Sequence, residues 1–231
     1  SSGRSLLSSS GLARTPAVWR WKHEANPFGP SAALVAAQDG VLIGLRAFMR
    51  WRFVDGDGRV VTGVRAVDTV THPDHQGKGL FKKLTLQLCD VVAAEGVDVV
   101  FNTPNDKSGP GYLKMGWQDL GKIDLWARPA YFTLPRRRRR LVPARDATWN
   151  LPGHVHGAGL STPRSPAFLR WRYGDVPGLD YVVVEEAGVA VVVGRKRERA
   201  GRQEMMVCEV LHRGDAVGVA IAASCVDDLV A

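Results

Sequence analysis

Only three cysteines occur in this sequence, Cys89, Cys208 and Cys225, and they lie far apart along the chain. An odd, scattered set inside apolar stretches reads as buried thiols of a reducing compartment and excludes a small secreted scaffold stapled by disulfides. No apolar run reaches the roughly 18 residues that a membrane-spanning helix needs, and no charged-apolar-small leader opens the chain. The expectation is a soluble, cytoplasmic protein. Acidic residues are in short supply: 31 Lys and Arg face 23 Asp and Glu, a formal charge of +8. That balance favours anionic partners, and five arginines stand together at Arg136 to Arg140. Aromatic residues do not interleave with the run, which disfavours nucleic acid and leaves a solvated linker as the simpler reading. The start, 1–16, is Ser-rich and has no acidic residue, and reads as disordered or truncated.

What the chain does have is apolar content, 45% of 231 residues, ample for a packed core. Its organising stretch runs from Asp68 to Leu84. The β-branched run ending at Thr71 is a strand, His72-Pro73-Asp74-His75-Gln76-Gly77-Lys78-Gly79 is a tight loop, and Phe81, Leu84, Leu88 and Val91 recur at helical spacing. Glycines let the backbone turn sharply and approach a ligand. The first N–H groups of the helix have no intrahelical acceptor, so the junction suits a phosphate or pyrophosphate.

A second pattern follows the apolar strand Val97 to Phe101: Asn105, then Tyr112-Leu113-Lys114-Met115-Gly116-Trp117. Together the two patterns resemble the GNAT N-acetyltransferase superfamily. Gln76, Gly77 and Gly79 match its pyrophosphate loop, and Tyr112 with Gly116-Trp117 matches its later signature. Phe81 stands where the family has Gly or Ala. The resemblance covers roughly residues 17 to 127. It implies an α/β fold with a mixed, mostly antiparallel central sheet flanked by helices. It also implies acetyl-CoA as cosubstrate, a primary-amine acceptor, direct attack in a ternary complex and no metal. A family member has further structure ahead of its first hairpin, so the resemblance also implies an incomplete amino terminus. The rival reading is a non-catalytic acyl-CoA-binding or scaffold protein with the same fold.

Taken in order, a helix beginning near Pro16 ends at Asn26-Pro27, which no helix crosses. Leu34 to Ala37 and Val41 to Phe48 flank an Asp39-Gly40 hairpin, and a third strand runs from Gly63 to Thr71. The strand Val97 to Phe101 is expected beside Asp68 to Thr71, with a last strand from Trp117 to Trp126. The domain reading is 17–128 as the acetyl-CoA-binding module, 129–163 as a Pro- and Gly-bearing linker, and 164–231 as a partial, degenerate second module. That last reading rests on a shared offset: Trp21-Lys22-His23 answers to Trp171-Arg172-Tyr173, and Gly44-Leu45-Arg46 to Gly194-Arg195-Lys196, all 150 residues on. Because His212-Arg213-Gly214-Asp215 stands where the glycine loop would be, the second module is not expected to hold a cofactor.

The resemblance assigns roles residue by residue. Backbone N–H groups of Gly77, Lys78, Gly79, Leu80, Phe81 and Lys82, with Gln76, bind the pyrophosphate. Main-chain groups of Thr69, Val70 and Thr71 pair with the pantetheine arm and polarise the thioester carbonyl. Asn105 holds the cofactor arm, or else caps the turn that follows it. Tyr112 protonates the departing thiolate, a role suited to a phenol that is neutral at pH 7. Asp68, His72 and His75 are the candidates for the base. His154-x-His156 has metal-like spacing but no third ligand nearby, so no zinc site is expected.

Overall fold

The computed structural model describes residues 15–121, 127, 139–152, 159–199 and 201–230. Outside the described residues lie the Ser-rich start up to residue 14, the second half of the expected last strand, Arg136 to Arg138 and His154-x-His156; the first half of that strand, 117–121, is not a strand. Two bodies divide the chain: Lys22–Trp126 with Ala158–Thr162, and Ser1–Trp21 with Ala127–Gly157 and Pro163–Ala231. The α-helices among the described residues are α1, Pro16–Trp19, α2, Leu80–Ala94, α3, Gly109–Leu113, α4, Pro166–Leu169, and α5, Ala216–Val230.

The first body is built on a four-stranded sheet in the order β1-β2-β3-β4, formed by Ala32–Gln38, Val41–Val54, Val60–Thr71 and Val99–Phe101. The first three strands are an antiparallel meander, whose first turn sets Asp39 and Gly40 at φ 52° and 77°, as a two-residue hairpin turn requires. β4 joins parallel to β3, so the sheet is mixed. Between β3 and β4 the chain crosses over through helix α2, Leu80–Ala94. Leu84, Leu88 and Val92 are buried beneath this helix, which lies on β1, β2 and β3, while Val91, one residue short of the four-residue step from Leu88, is 40% exposed. Phe48, Val64, Ala66 and Tyr112 complete this core, Tyr112 coming from the short helix α3, Gly109–Leu113.

One expectation is corrected. β4 pairs with Gly63, Val64 and Arg65 of β3, not with Asp68 to Thr71. Asp98 sets that register, because its carboxylate accepts both the backbone N–H and the hydroxyl of Thr62. Gly63 permits it, since a Cβ there would stand 3.1 Å from Phe53 and 3.3 Å from Val99. The far end of β3 is therefore paired on one side only among the described residues.

The second body holds another four-stranded sheet, β5-β6-β7-β8, from Val142–Pro143, Val182–Glu186, Ala190–Arg199 and Arg202–His212, all antiparallel. Val183, Val184 and Val191 to Val193 are fully buried, and helix α5, Ala216–Val230, covers the sheet with Ala222, Cys225 and Leu229. Part of the stretch expected as a linker is thus structural here: Val142–Pro143 is a strand, and Ala144, Ala147 and Trp149 are buried. Arg139, from the arginine run, is also engaged rather than solvated. It donates to Asp228 at 2.9 Å, Glu186 at 3.0 Å and Ser224 at 3.1 Å. Trp21 falls in this body: its ring stacks on Trp171 at 5.0 Å, and each indole N–H donates to the other residue's carbonyl, at 2.7 and 2.8 Å. No described helix is long and apolar enough to cross a membrane.

Candidate active site

The loop between β3 and α2 bounds a hollow of about 410 Å3 lined by Thr71, His75, Gln76, Gly77, Gly79, Leu80, Phe81 and Lys82. Gly77 and Gly79 both have φ near +75°, a region that residues with a Cβ rarely adopt, and nothing would stand within 4 Å of a Cβ at either. The first helical bond runs from Lys83 N–H to Gly79 O, so the N–H groups of Leu80, Phe81 and Lys82 precede it and have no intrahelical acceptor. Lys78, Lys82 and Lys83 are exposed around this rim. Uncompensated donors, a helix N-terminus and three cations together favour a multiply charged anion.

The open end of β3 forms the adjoining wall. His72 N–H donates to Ile43 O across the β2 ladder; alternation then turns Val70 the same way and leaves the main-chain groups of Thr69 and Thr71 facing the unpaired edge. Thr69 is exposed and Val70 is 48% exposed, as an open edge dictates. Gln76 reaches back to Thr71 O at 3.4 Å and ties loop to strand.

A bulge interrupts β3 just before this edge. Phe48 faces Ala66 but Arg46 faces Thr69, so β3 carries one extra residue at Val67–Asp68. The carbonyl displaced there is captured: Arg46 Nη1 donates to Val67 O at 2.6 Å. Arg46 is 1% exposed, and its other terminal nitrogen donates to the Tyr112 hydroxyl at 2.5 Å. Phe48, Phe81 and Tyr112 present their rings to the guanidinium at 5.1, 5.5 and 5.6 Å. Burial lowers the Arg46 pKa from its ordinary value, opposed by the bond to Tyr112. Nothing in the glycine motifs signals this residue. The available hint was a single cation inside the apolar run from Val41 to Phe48.

Tyr112 itself is buried at 5% exposure and does not line the hollow. Phe81 does, and its ring meets Tyr112 edge-on at 5.5 Å. Asn105 is used locally: its Oδ1 accepts the N–H groups of Lys107 at 3.1 Å and Ser108 at 3.0 Å, capping the turn into α3.

The three candidate bases sit differently. Asp68 Oδ2 accepts from Lys22 Nζ at 2.7 Å and from His23 Nε2 at 2.8 Å. A carboxylate only accepts, so Nε2 carries a proton, and the other ring nitrogen lies 2.9 Å from the Ser31 hydroxyl, which holds the ring in this orientation. Burial pushes the Asp68 carboxyl up, but the His23 bond and the Lys22 charge outweigh it and hold the group well below the usual carboxylate range. Such a carboxylate is a weak base. His72 accepts the Asp74 N–H at 3.3 Å and meets the His75 ring at 5.8 Å, beside the hollow. Sequence reasoning missed Lys22, His23 and Ser31, which are distant from Asp68 along the chain. Among the described residues no group of three or more His, Cys, Asp and Glu side chains could hold a metal ion.

Comparison with known proteins matches residues 7–119 to the model of an acetyltransferase (GNAT) domain. Over 67 residues the chain is 39% identical to L-amino acid N-acyltransferase MnaT of Escherichia coli (strain K12), covering 29% of this chain and 37% of that one. The chain thus spans little more than a third of the curated relative that it matches. An acetyltransferase structure from Trypanosoma brucei is similar at 25% identity, over 42% of this chain and 69% of the other, with a TM-score of 0.35. Glucosamine-6-phosphate N-acetyltransferase from Arabidopsis thaliana is similar at 18% identity, over 42% and 66%, with a TM-score of 0.37.

Proposed function

Since this chain is a member of the GNAT superfamily through its domain at residues 7–119, we propose that it transfers an acetyl group from acetyl-CoA to a primary amine by direct attack in a ternary complex. The observation that carries the reading is the hollow at the glycine loop, where free helix N–H groups meet the open edge of β3. The pyrophosphate binds the N–H groups from Gly77 to Lys82, with Lys78 and Lys82 adding charge. Pantetheine pairs with Thr69, Val70 and Thr71 as a strand, and the edge N–H groups of Thr69 and Thr71 polarise the thioester carbonyl. The amine nitrogen attacks that carbon, the carbon–sulfur bond breaks, and Tyr112 supplies the proton that the thiolate takes. The name of the relative makes free amino acids the first acceptors to screen.

The domain reading belongs to the same proposal: 17–128 binds acetyl-CoA, 129–163 connects, and 164–231 is a partial, degenerate second module without a cofactor loop. It is supported by the repeat at an offset of 150: Thr15 and Ser165 cap helices that continue as π-helical turns, Arg20–Glu24 and Arg170–Gly174, and Gly44 and Gly194 each admit a leucine of the covering helix. One observation favours the rival, a non-catalytic acyl-CoA-binding or scaffold protein in the cytoplasm: Tyr112 is buried, with its hydroxyl already engaged.

Calorimetric titration with acetyl-CoA, on the unaltered chain and on Gly79→Glu, tests the reading. The variant puts a carboxylate and a disfavoured φ at the phosphate loop. Micromolar binding lost in the variant supports it, and an acceptor screen by thiol release then separates enzyme from scaffold. Absence of binding by the unaltered chain would end it.

A further inference from the structure

Burying a guanidinium without a carboxylate is costly, and buried charges are as a rule paired with an opposite charge. Among the described residues no carboxylate pairs with Arg46. Asp68, whose charge it feels, is bound to Lys22 and His23. Its Nε has no hydrogen-bond partner, and its two terminal nitrogens go to a carbonyl and a phenol, both neutral. Nor does a sheet of this kind require a buried cation, because Lys196, the same distance beyond Gly194 as Arg46 is beyond Gly44, is exposed. The two groups that Arg46 joins are the bulge carbonyl beside the open edge and the hydroxyl of the proposed proton donor.

We propose that Arg46 is a positioning residue for Tyr112: it fixes the phenol oxygen at the β3 bulge and carries the negative charge left there when the proton passes to the coenzyme thiolate. The inference rests on the acetyl-transfer reading above. A phenol oxygen that accepts from a guanidinium keeps its own O–H free to donate. When the tetrahedral intermediate collapses, the C–S bond breaks with its electrons on sulfur, and the Tyr112 proton moves to that sulfur. The phenolate stays beside Arg46 until solvent returns a proton, while the amine's excess proton leaves to solvent. Because the guanidinium is already in place, no reorganisation is needed as that charge appears.

The test needs no acceptor. Coenzyme A and desulfo-coenzyme A, which differ only in the thiol, are titrated calorimetrically at pH 8.5 into the full chain and into Arg46→Met, Arg46→Gln, Arg46→Lys, Tyr112→Phe and the Arg46→Met/Tyr112→Phe double variant. The unaltered chain is expected to prefer coenzyme A by about tenfold, the worth of one charge-assisted hydrogen bond to sulfur. Arg46→Met should abolish the preference and leave desulfo-coenzyme A affinity unchanged, with Arg46→Lys restoring part of it. In the Tyr112→Phe background the same substitution should have no further effect, since the residues act as one unit. Arg46→Gln, which keeps a donor without the charge, gives the same reading if the Met variant does not fold. A preference that survives loss of the charge overturns the proposal, as does equal binding of both ligands by the unaltered chain. Equal weakening toward both ligands makes Arg46 a packing residue only. Failure of the unaltered chain to bind either ligand removes the cofactor reading itself, a different result from any of these.

Discussion

Thr62 and Asp98 exchange hydrogen bonds in both directions: the Thr62 N–H and hydroxyl each donate to the Asp98 carboxylate at 2.7 Å, and the Asp98 N–H returns to Thr62 O at 3.0 Å and, more weakly, to the Thr62 hydroxyl oxygen at 3.4 Å. Those donors hold the Asp98 carboxyl below the usual carboxylate range. The exchange fixes where β4 starts, and through that start it decides which end of β3 is left open.

Gly63, next in the strand, makes the parallel pairing compact. Gly63→Ala should destabilise the chain by about 1–3 kcal/mol, because the new Cβ meets Phe53 and Val99 in a packed region. The midpoint of urea unfolding measures it, and an unchanged midpoint would mean that β4 shifts freely.

Tyr112→Phe should lower turnover on the order of 100-fold and leave the KM for acetyl-CoA close to its starting value, as expected when only a proton donor is removed. Steady-state kinetics with an acceptor from the screen decide it. Unchanged turnover takes Tyr112 out of the chemistry.

Asp68 gives a pH dependence of stability. Its folded carboxyl titrates below the unfolded value of about 3.9, so the stability it contributes is complete above that pH and is lost as pH falls below it. Thermal melts from pH 6 to pH 2 should therefore show a steeper acid loss for the unaltered chain than for Asp68→Asn. Parallel curves would show that Lys22 and His23 do not bind the carboxylate in solution.

The two sheet glycines differ in consequence. A Cβ at Gly44 would lie 2.8 Å from a terminal methyl of Leu80, whereas at Gly194 it would meet Leu229 at 2.4, 2.9 and 3.0 Å. Leu229 is 2% exposed and has nowhere to retreat. Gly194→Ala should cost more stability than Gly44→Ala, each within about 1–3 kcal/mol or above for the former. Denaturant unfolding of the two variants tests the order.

The strand, glycine loop and helix from Asp68 to Ala94 were legible because their signals are local: β-branched residues, glycines at positive φ and a hydrophobic stripe all act within a few residues. Tyr112 was singled out by its spacing to Gly116-Trp117, but its burial was not legible there. Even in the helix the stripe erred by one position, taking Val91 for Val92, while the cap offered as one of two readings of Asn105 is present. The duplicated Trp21 and Trp171 stood out by their offset, but not the reciprocal indole bonds between them.

Sequence by itself determined the first hairpin, the strand, glycine loop and helix that follow it, and the likeness to a family, because each rests on short-range propensity and spacing. Tertiary structure alone decided the register of β4, the bulge at Val67–Asp68, the burial of Arg46 against Tyr112 and the capture of Asp68 by Lys22 and His23. Arg46 and Tyr112 are 66 positions apart, and Asp68 and His23 are 45 apart. Such pairs meet only after non-local strands and helices pack, and whether a charge is solvated, paired or stranded depends on that packing rather than on its neighbours in the chain.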